Sequence, residues 1–162
     1  MSIKLYKREN GRVVAYHEAW VYDGRVIEHW GPLGEHGETR EHALDPSLDL
    51  EDNLMRVLHP AGVKGFMPID IEDHAVLLVE YLIDGWGTEV DLQKRHDLEM
   101  RLSETTGWAG IGHVDGGSIG SGSMEVCCFV VDFDVAKRVI EQDLAGTEFA
   151  DYSRIYCEDI EM

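Results

Sequence analysis

Positive charge is what this chain has least of: 14 lysines and arginines face 32 aspartates and glutamates, a formal net charge of −18 at pH 7. Nucleic-acid affinity depends on Lys and Arg neutralising phosphates, so most of such a surface repels DNA and RNA at long range. The deficit is uneven. Residues 1–70 hold 8 basic and 12 acidic side chains, and residues 71–162 hold 6 and 20. Cysteine is sparse too: Cys127, Cys128 and Cys157 form an odd set with no CxxC spacing. Neighbouring Cys127 and Cys128 would point to opposite faces of a strand, poorly placed to grip one metal, and they read as small buried hydrophobes in a reducing compartment. No apolar run approaches the ~20 residues that span a bilayer, and the start, MSIKLYKRENG, has no apolar signal-peptide core. The expectation is a cytoplasmic protein without a membrane partner.

What is present is apolar material for packed cores: 44% of residues are hydrophobic and 9% aromatic, unlike a disordered chain. A length of 162 residues suits one domain or two small ones. In residues 1–70 the rhythm is first that of strands. Ile3 to Tyr6 alternates, Asn10-Gly11 is a turn signal before Val13 to Tyr16, and Glu18 to Tyr22 pairs with Arg25 to Trp30 across Asp23-Gly24. Leu50, Leu54, Val57 and Leu58 then share one helix face, predicting a helix from near Asp49 that stops before Pro60. Three or four strands under one helix make a small core.

The run Trp30-Gly31-x-x-Gly34-x-x-Gly37, followed by Glu38-Thr39-Arg40, a helix and Lys64-Gly65-Phe66, resembles the WGR domain of DNA-dependent poly(ADP-ribose) polymerases over about residues 3–67. The resemblance implies an antiparallel β module with one helix. It also implies a surface, centred here on Trp30, that contacts DNA ends and a neighbouring catalytic module. The motif's arginine is replaced by Pro32, with Glu35 and Glu38 in the same turn, so a charge-assisted phosphate contact would have to come from Arg25 and Arg40. Read structurally, the glycines supply positive-φ turns and Trp30 fills the small core.

A short linker, Pro68-Ile69-Asp70, precedes residues 71–162. His74 to Ile83 is nearly all apolar, as in a central strand. Thr88 and Asp91 have capping-box spacing for a helix to about Thr105. Ile111 to Val114 and Met124 to Val131 read as strands, Asp132 or Asp134 caps a helix with Val135, Ala136, Val139 and Ile140 on one face, and Tyr152 to Cys157 closes as a strand. This βαββαβ order is that of the ferredoxin-like split arrangement, and the segment resembles ferredoxin-like domains of uncharacterised bacterial proteins. Both parities of the strands are apolar, so the face away from the helices is expected to be covered by the N-terminal segment or another subunit, leaving a homo-oligomer open.

The stretch 115–123, DGGSIGSGS, reads as a hairpin connection with bulges. It could alternatively present backbone N–H groups, with Asp115, Ser118 and Ser121, to a small ligand or partner. Glu80 and Glu125 fall inside strands, with Arg154 a candidate ion-pair partner. None of the eight histidines has a recognised metal spacing, no nucleophile elbow surrounds a serine, and no GxGxxG opens a helix, so neither a metal nor a cofactor is expected. The fold expectation is α+β, a WGR-like module over 1–70 and a ferredoxin-like module over 71–162. The functional expectation is a non-enzymatic binding protein of accessory or immunity type that meets a protein partner, basic if charge decides. Nucleic-acid binding through Trp30, Arg25 and Arg40 is the first alternative, and a small-ligand sensor or enzyme using Asp115, Ser118 and Ser121 is the second.

Overall fold

A computed structural model describes residues 1–158 and is mixed α+β, with two antiparallel four-stranded sheets and three helices. The chain divides into two compact units, the first Met1–Asp70 and the second from Ile71 on. No helix among the described residues is long and apolar enough to cross a membrane.

The first unit is a meander of β1 (Ser2–Glu9), β2 (Arg12–Tyr22), β3 (Arg25–Pro32) and β4 (Glu38–Ala43), paired in that order. Both tight turns carry two consecutive positive φ values, Asn10 and Gly11 at 52° and 79°, Asp23 and Gly24 at 50° and 70°. This is the mirror-image turn whose twist matches that of the flanking strands. The two apolar runs expected on either side of His17 are one continuous strand, β2. β4 covers the stretch that begins Glu38-Thr39-Arg40, which has no strand pattern in the sequence. Its residues ETREHA are exposed on nearly every position, so an edge strand in water shows no alternation to read.

Helix α1 (Leu50–Val63) lies on one face of this sheet. Leu54, Val57, Leu58 and Ala61 meet Leu5, Ala19 and Val26 there, each buried Leu or Val contributing about 1.5–3 kcal/mol. The buried Asn53 fixes the helix start, since its amide donates to the Asp45 and Asp49 carbonyls and accepts from the Asp45 N–H. The expected stop before Pro60 is overturned: α1 runs through Pro60 for one more turn. Near a C-terminus a missing N–H forfeits a single bond, and tertiary packing outweighs it. The helix ends instead in a Schellman motif, with Gly65 at φ 97°, Phe66 N–H on Ala61 O and Gly65 N–H on Gly62 O.

The second unit has β5 (Ala75–Leu82), α2 (Glu89–Trp108), β6 (Gly112–Gly120), β7 (Ser123–Val130), α3 (Phe133–Leu144) and β8 (Arg154–Cys157), with strand order β6-β7-β5-β8, every neighbour antiparallel. Both elements of the Thr88–Asp91 capping box are present, and Asp132, not Asp134, caps α3. Helices α2 and α3 cover one sheet face and are joined by Arg101 to the Asp143 carboxylate at 3.1 Å. The opposite face carries Leu78, Cys127, Phe129 and a polar group. There Arg154 makes two 3.1 Å hydrogen bonds to Glu80 and covers the Tyr156 ring, while Tyr156 donates to Glu125 at 2.6 Å.

Most of the stretch expected as a connection from 115 to 123 is strand: β6 continues to Gly120, leaving Ser121 and Gly122 as the turn. A bulge between Val114 and Gly117 resets its register. Glycine is required at 117 because a β-carbon would overlap the Glu125 carbonyl oxygen and the Glu99 carboxylate and crowd the Arg95 side chain of α2.

Gly37, at φ 71°, has no room for a β-carbon, which would overlap the Trp30 carbonyl oxygen and the Tyr16 hydroxyl. Gly37→Ala is expected to cost roughly 3 kcal/mol from combined strain and overlap. Gly24→Ala, with positive φ but open space around it, is expected to cost about 1 kcal/mol. Urea unfolding of the two variants checks the order.

Candidate functional site

In a strand, alternate residues share a face. Val26, Glu28 and Trp30 of β3 therefore point toward α1, whereas Arg25, Ile27 and His29 point away. Register carries this across the sheet, placing His17 opposite Trp30 and Arg40 opposite Glu28. With His42 also on that side, the face meets Arg56, Val57, Pro60 and Ala61 of α1, then Lys64 and Phe66 of its Schellman end. Together they bound a cleft of about 460 Å³ within the first unit.

The floor of the cleft is Glu28, only 7% exposed. Its two oxygens accept from His17 Nε2 at 2.6 Å and His42 Nε2 at 2.8 Å, and the Arg40 Nε stands 3.9 Å away. Burial pushes the carboxyl up, and the two imidazole hydrogen bonds, helped by the charges of His17 and Arg40, more than cancel it. Its pKa therefore lies below the ordinary 4.5. The wall is aromatic: the His17 ring stacks on Trp30 with centroids 5.6 Å apart and meets the edge of Phe66 at 5.7 Å. The rim is cationic. The Arg40 guanidinium lies 5.1 Å over the Trp30 ring and is 63% exposed, and Arg56 is anchored on the Ala43 carbonyl and Asn53. Neither Arg56 nor Lys64 has a carboxylate within 4 Å among the described residues.

Of the residues singled out from sequence, Trp30 and Arg40 come together here. Arg25 lies on the opposite face of the sheet, paired with Glu41 at 3.2 Å. Behind the cleft, His29 is fully buried between the Glu18 carboxylate, the His36 carbonyl and the Tyr16 hydroxyl. Lys64 and Phe66 belong to the stretch that carries the resemblance, without being marked there as binding residues, and nothing in the sequence marks His17, Glu28, His42 or Arg56. Strand parity puts Glu28 on the face of Trp30 along β3, whereas exposed β4 shows no alternation and the contribution of α1 leaves no local signal.

In the second unit Asp115 and Ser118 line a shallow depression of about 250 Å³ with Leu78, Glu125, Cys127 and Glu158, whereas Ser121 sits in the hairpin turn. Three carboxylates there oppose an anion. Burial, followed by the charges of Asp115, Glu158 and Glu125, pushes the Cys127 thiol up, which lowers its reactive thiolate fraction. Arg95 of α2 packs on Gly117, with Glu99 3.7 Å from its Nε.

The native Glu28 carboxyl holds its proton more weakly than the unfolded chain does. The stability it adds is fully present above about pH 4.5 and is lost as pH falls through the lowered native value. Glu28→Gln should lower the urea midpoint at neutral pH and flatten the acid limb of the stability profile. Superimposable acid limbs for the two proteins would contradict the pairing. Compared with protein families, curated proteins and solved structures, the chain matches none.

Proposed function

We propose that the chain is a binding protein whose first unit is a WGR-like module taking an anionic group, phosphate in particular, in the cleft between β2–β4 and α1. One observation carries this reading. In a chain of net charge −18, Arg40, Arg56 and Lys64 converge with Trp30 and Phe66 on a single cleft. A unit charge 4 Å from an anion contributes about 1 kcal/mol in a water-like medium and about 4 kcal/mol where the medium is less polar. Carboxylates elsewhere on the surface are screened beyond about 8 Å at physiological salt. The local cations therefore decide the fate of a small ligand, while a polymer lying across the surface meets the remaining acid. Arginine matches phosphate through paired N–H donors, and the volume is that of a small-molecule site.

The strand order β6-β7-β5-β8 with both helices on one face supports reading the second unit as ferredoxin-like. The nucleic-acid alternative uses the same cleft for a terminal phosphate, with Arg40 over Trp30 as its motivating contact. In that version Arg25 has no part, because it lies on the other face.

Calorimetric titration of the full chain at low salt with inorganic pyrophosphate, a 5′-phosphorylated oligonucleotide and its unphosphorylated form tests the reading. The phosphate-bearing probes should bind. Arg40→Ala with Lys64→Ala should weaken them by about tenfold or more, about 1.4 kcal/mol. Glu28→Gln should tighten them by removing a repelling charge, and Arg25→Ala should leave them unchanged. Binding of none of the probes, or equal binding by the double variant, would sink it.

A further inference from the structure

One end of the second unit holds large apolar side chains in water. Leu82, Trp86 and Val90 are 74%, 74% and 77% exposed, all within residues 82–90. The segment carrying them is tied down. Gly87 N–H closes the turn on Asp84 O at 3.0 Å, Ile83 N–H donates to Gly122 O at 3.0 Å, and Gly122 N–H donates to Gly85 O at 2.7 Å. Beyond the turn, the capping box of Thr88 and Asp91 starts α2. Gly87 itself packs so closely on Ile119 and Ile83 that a β-carbon would collide with their methyl groups. Trp86 is therefore presented on an ordered turn, outside any core of its own. Exposed apolar groups gathered in one place mark interaction surfaces. Tryptophan on a preorganised element is the side chain that most often dominates them, since little freedom is lost on binding.

Charge selects the occupant. Residues 82–93, LIDGWGTEVDLQ, contain Asp84, Glu89 and Asp91 and no lysine or arginine. The next cation, Lys94, is engaged by Asp151 at 2.7 Å and lies over the Tyr81 ring. A second copy of this chain would bring the same carboxylates and another −18 against the patch, so self-association is opposed. A partner with basic side chains around an apolar one is attracted to the same place. We propose that the Asp84–Gly87 turn is the docking site for a basic segment of a partner protein. That segment sets an aliphatic or aromatic side chain on Trp86 and lysines or arginines against Asp84 and Glu89. This surface lies in the other unit from the anion cleft and prefers the opposite charge, so the two sites are separable by experiment.

The test uses the full chain at low ionic strength and three synthetic peptides, alternating lysine–leucine, lysine–serine and glutamate–leucine. Binding is read by calorimetry and aggregation state by sedimentation. The lysine–leucine peptide should bind, and the other two should bind at least about tenfold more weakly. Trp86→Ser alone, and Asp84→Asn with Glu89→Gln, should each reduce lysine–leucine binding by a similar factor. Both should leave the melting temperature and the pyrophosphate titration unchanged, because these side chains face solvent. No binding of the lysine–leucine peptide would overturn the proposal, as would equal binding by the Trp86→Ser variant, which would point to net charge alone. A concentration-dependent dimer abolished by Trp86→Ser would overturn it in favour of a second copy.

Discussion

The buried carboxylate of Glu28 is the constraint around which the first unit is arranged. A mid-strand glutamate facing a helix is costly unless its oxygens are met, because an unpaired buried charge loses several kcal/mol of hydration. The two partners come from different strands, His17 on β2 and His42 on β4, so satisfying Glu28 holds three strands in one register. The same register sets Trp30 beside His17 and Arg40 above Trp30. What the cleft can bind follows from that floor: the carboxylate at its deep end has its hydrogen bonds met from within, and the cations stand at the rim.

How far this could be foreseen depends on whether the information was local. The two positive-φ turns, the Thr88–Asp91 box and the Asp132 cap are short-range devices, and each is legible in a few residues. The central strand β5 is equally plain from its apolar run. β4 is hidden because both its faces meet water, and β6 because glycines there serve close approach to β7 and α2. Helix α1 passes Pro60 because packing on the sheet outweighs one lost hydrogen bond. The cleft joins residues from 17 to 66, drawn from four elements and the end of α1, and the resemblance touches it at Trp30, Arg40, Lys64 and Phe66 while leaving His17, Glu28, His42 and Arg56 unmarked. Arg25 differs from them by strand parity, which decides the face as soon as the register is known.

Charge is sorted by place as much as by amount. The cationic rim around Trp30 and the acidic turn around Trp86 offer opposite preferences within one chain. Aromatic surface accompanies both. Each element that presents them is fixed by a backbone device, a Schellman end for Phe66 and a hydrogen-bonded turn for Trp86, so neither display depends on loose chain.

The strand order of the second sheet has a consequence for handling the protein. β5, AVLLVEYL, is the segment best able to stack on copies of itself, with Glu80 its single charged position. One of its flanks is covered along its whole length by β7, but the other is covered by β8, only four residues long. Trimming the chain ahead of Arg154 would strip that cover and bare a row of unpaired amides beside a hydrophobic ladder. Chains shortened at this end would be the ones to form fibres.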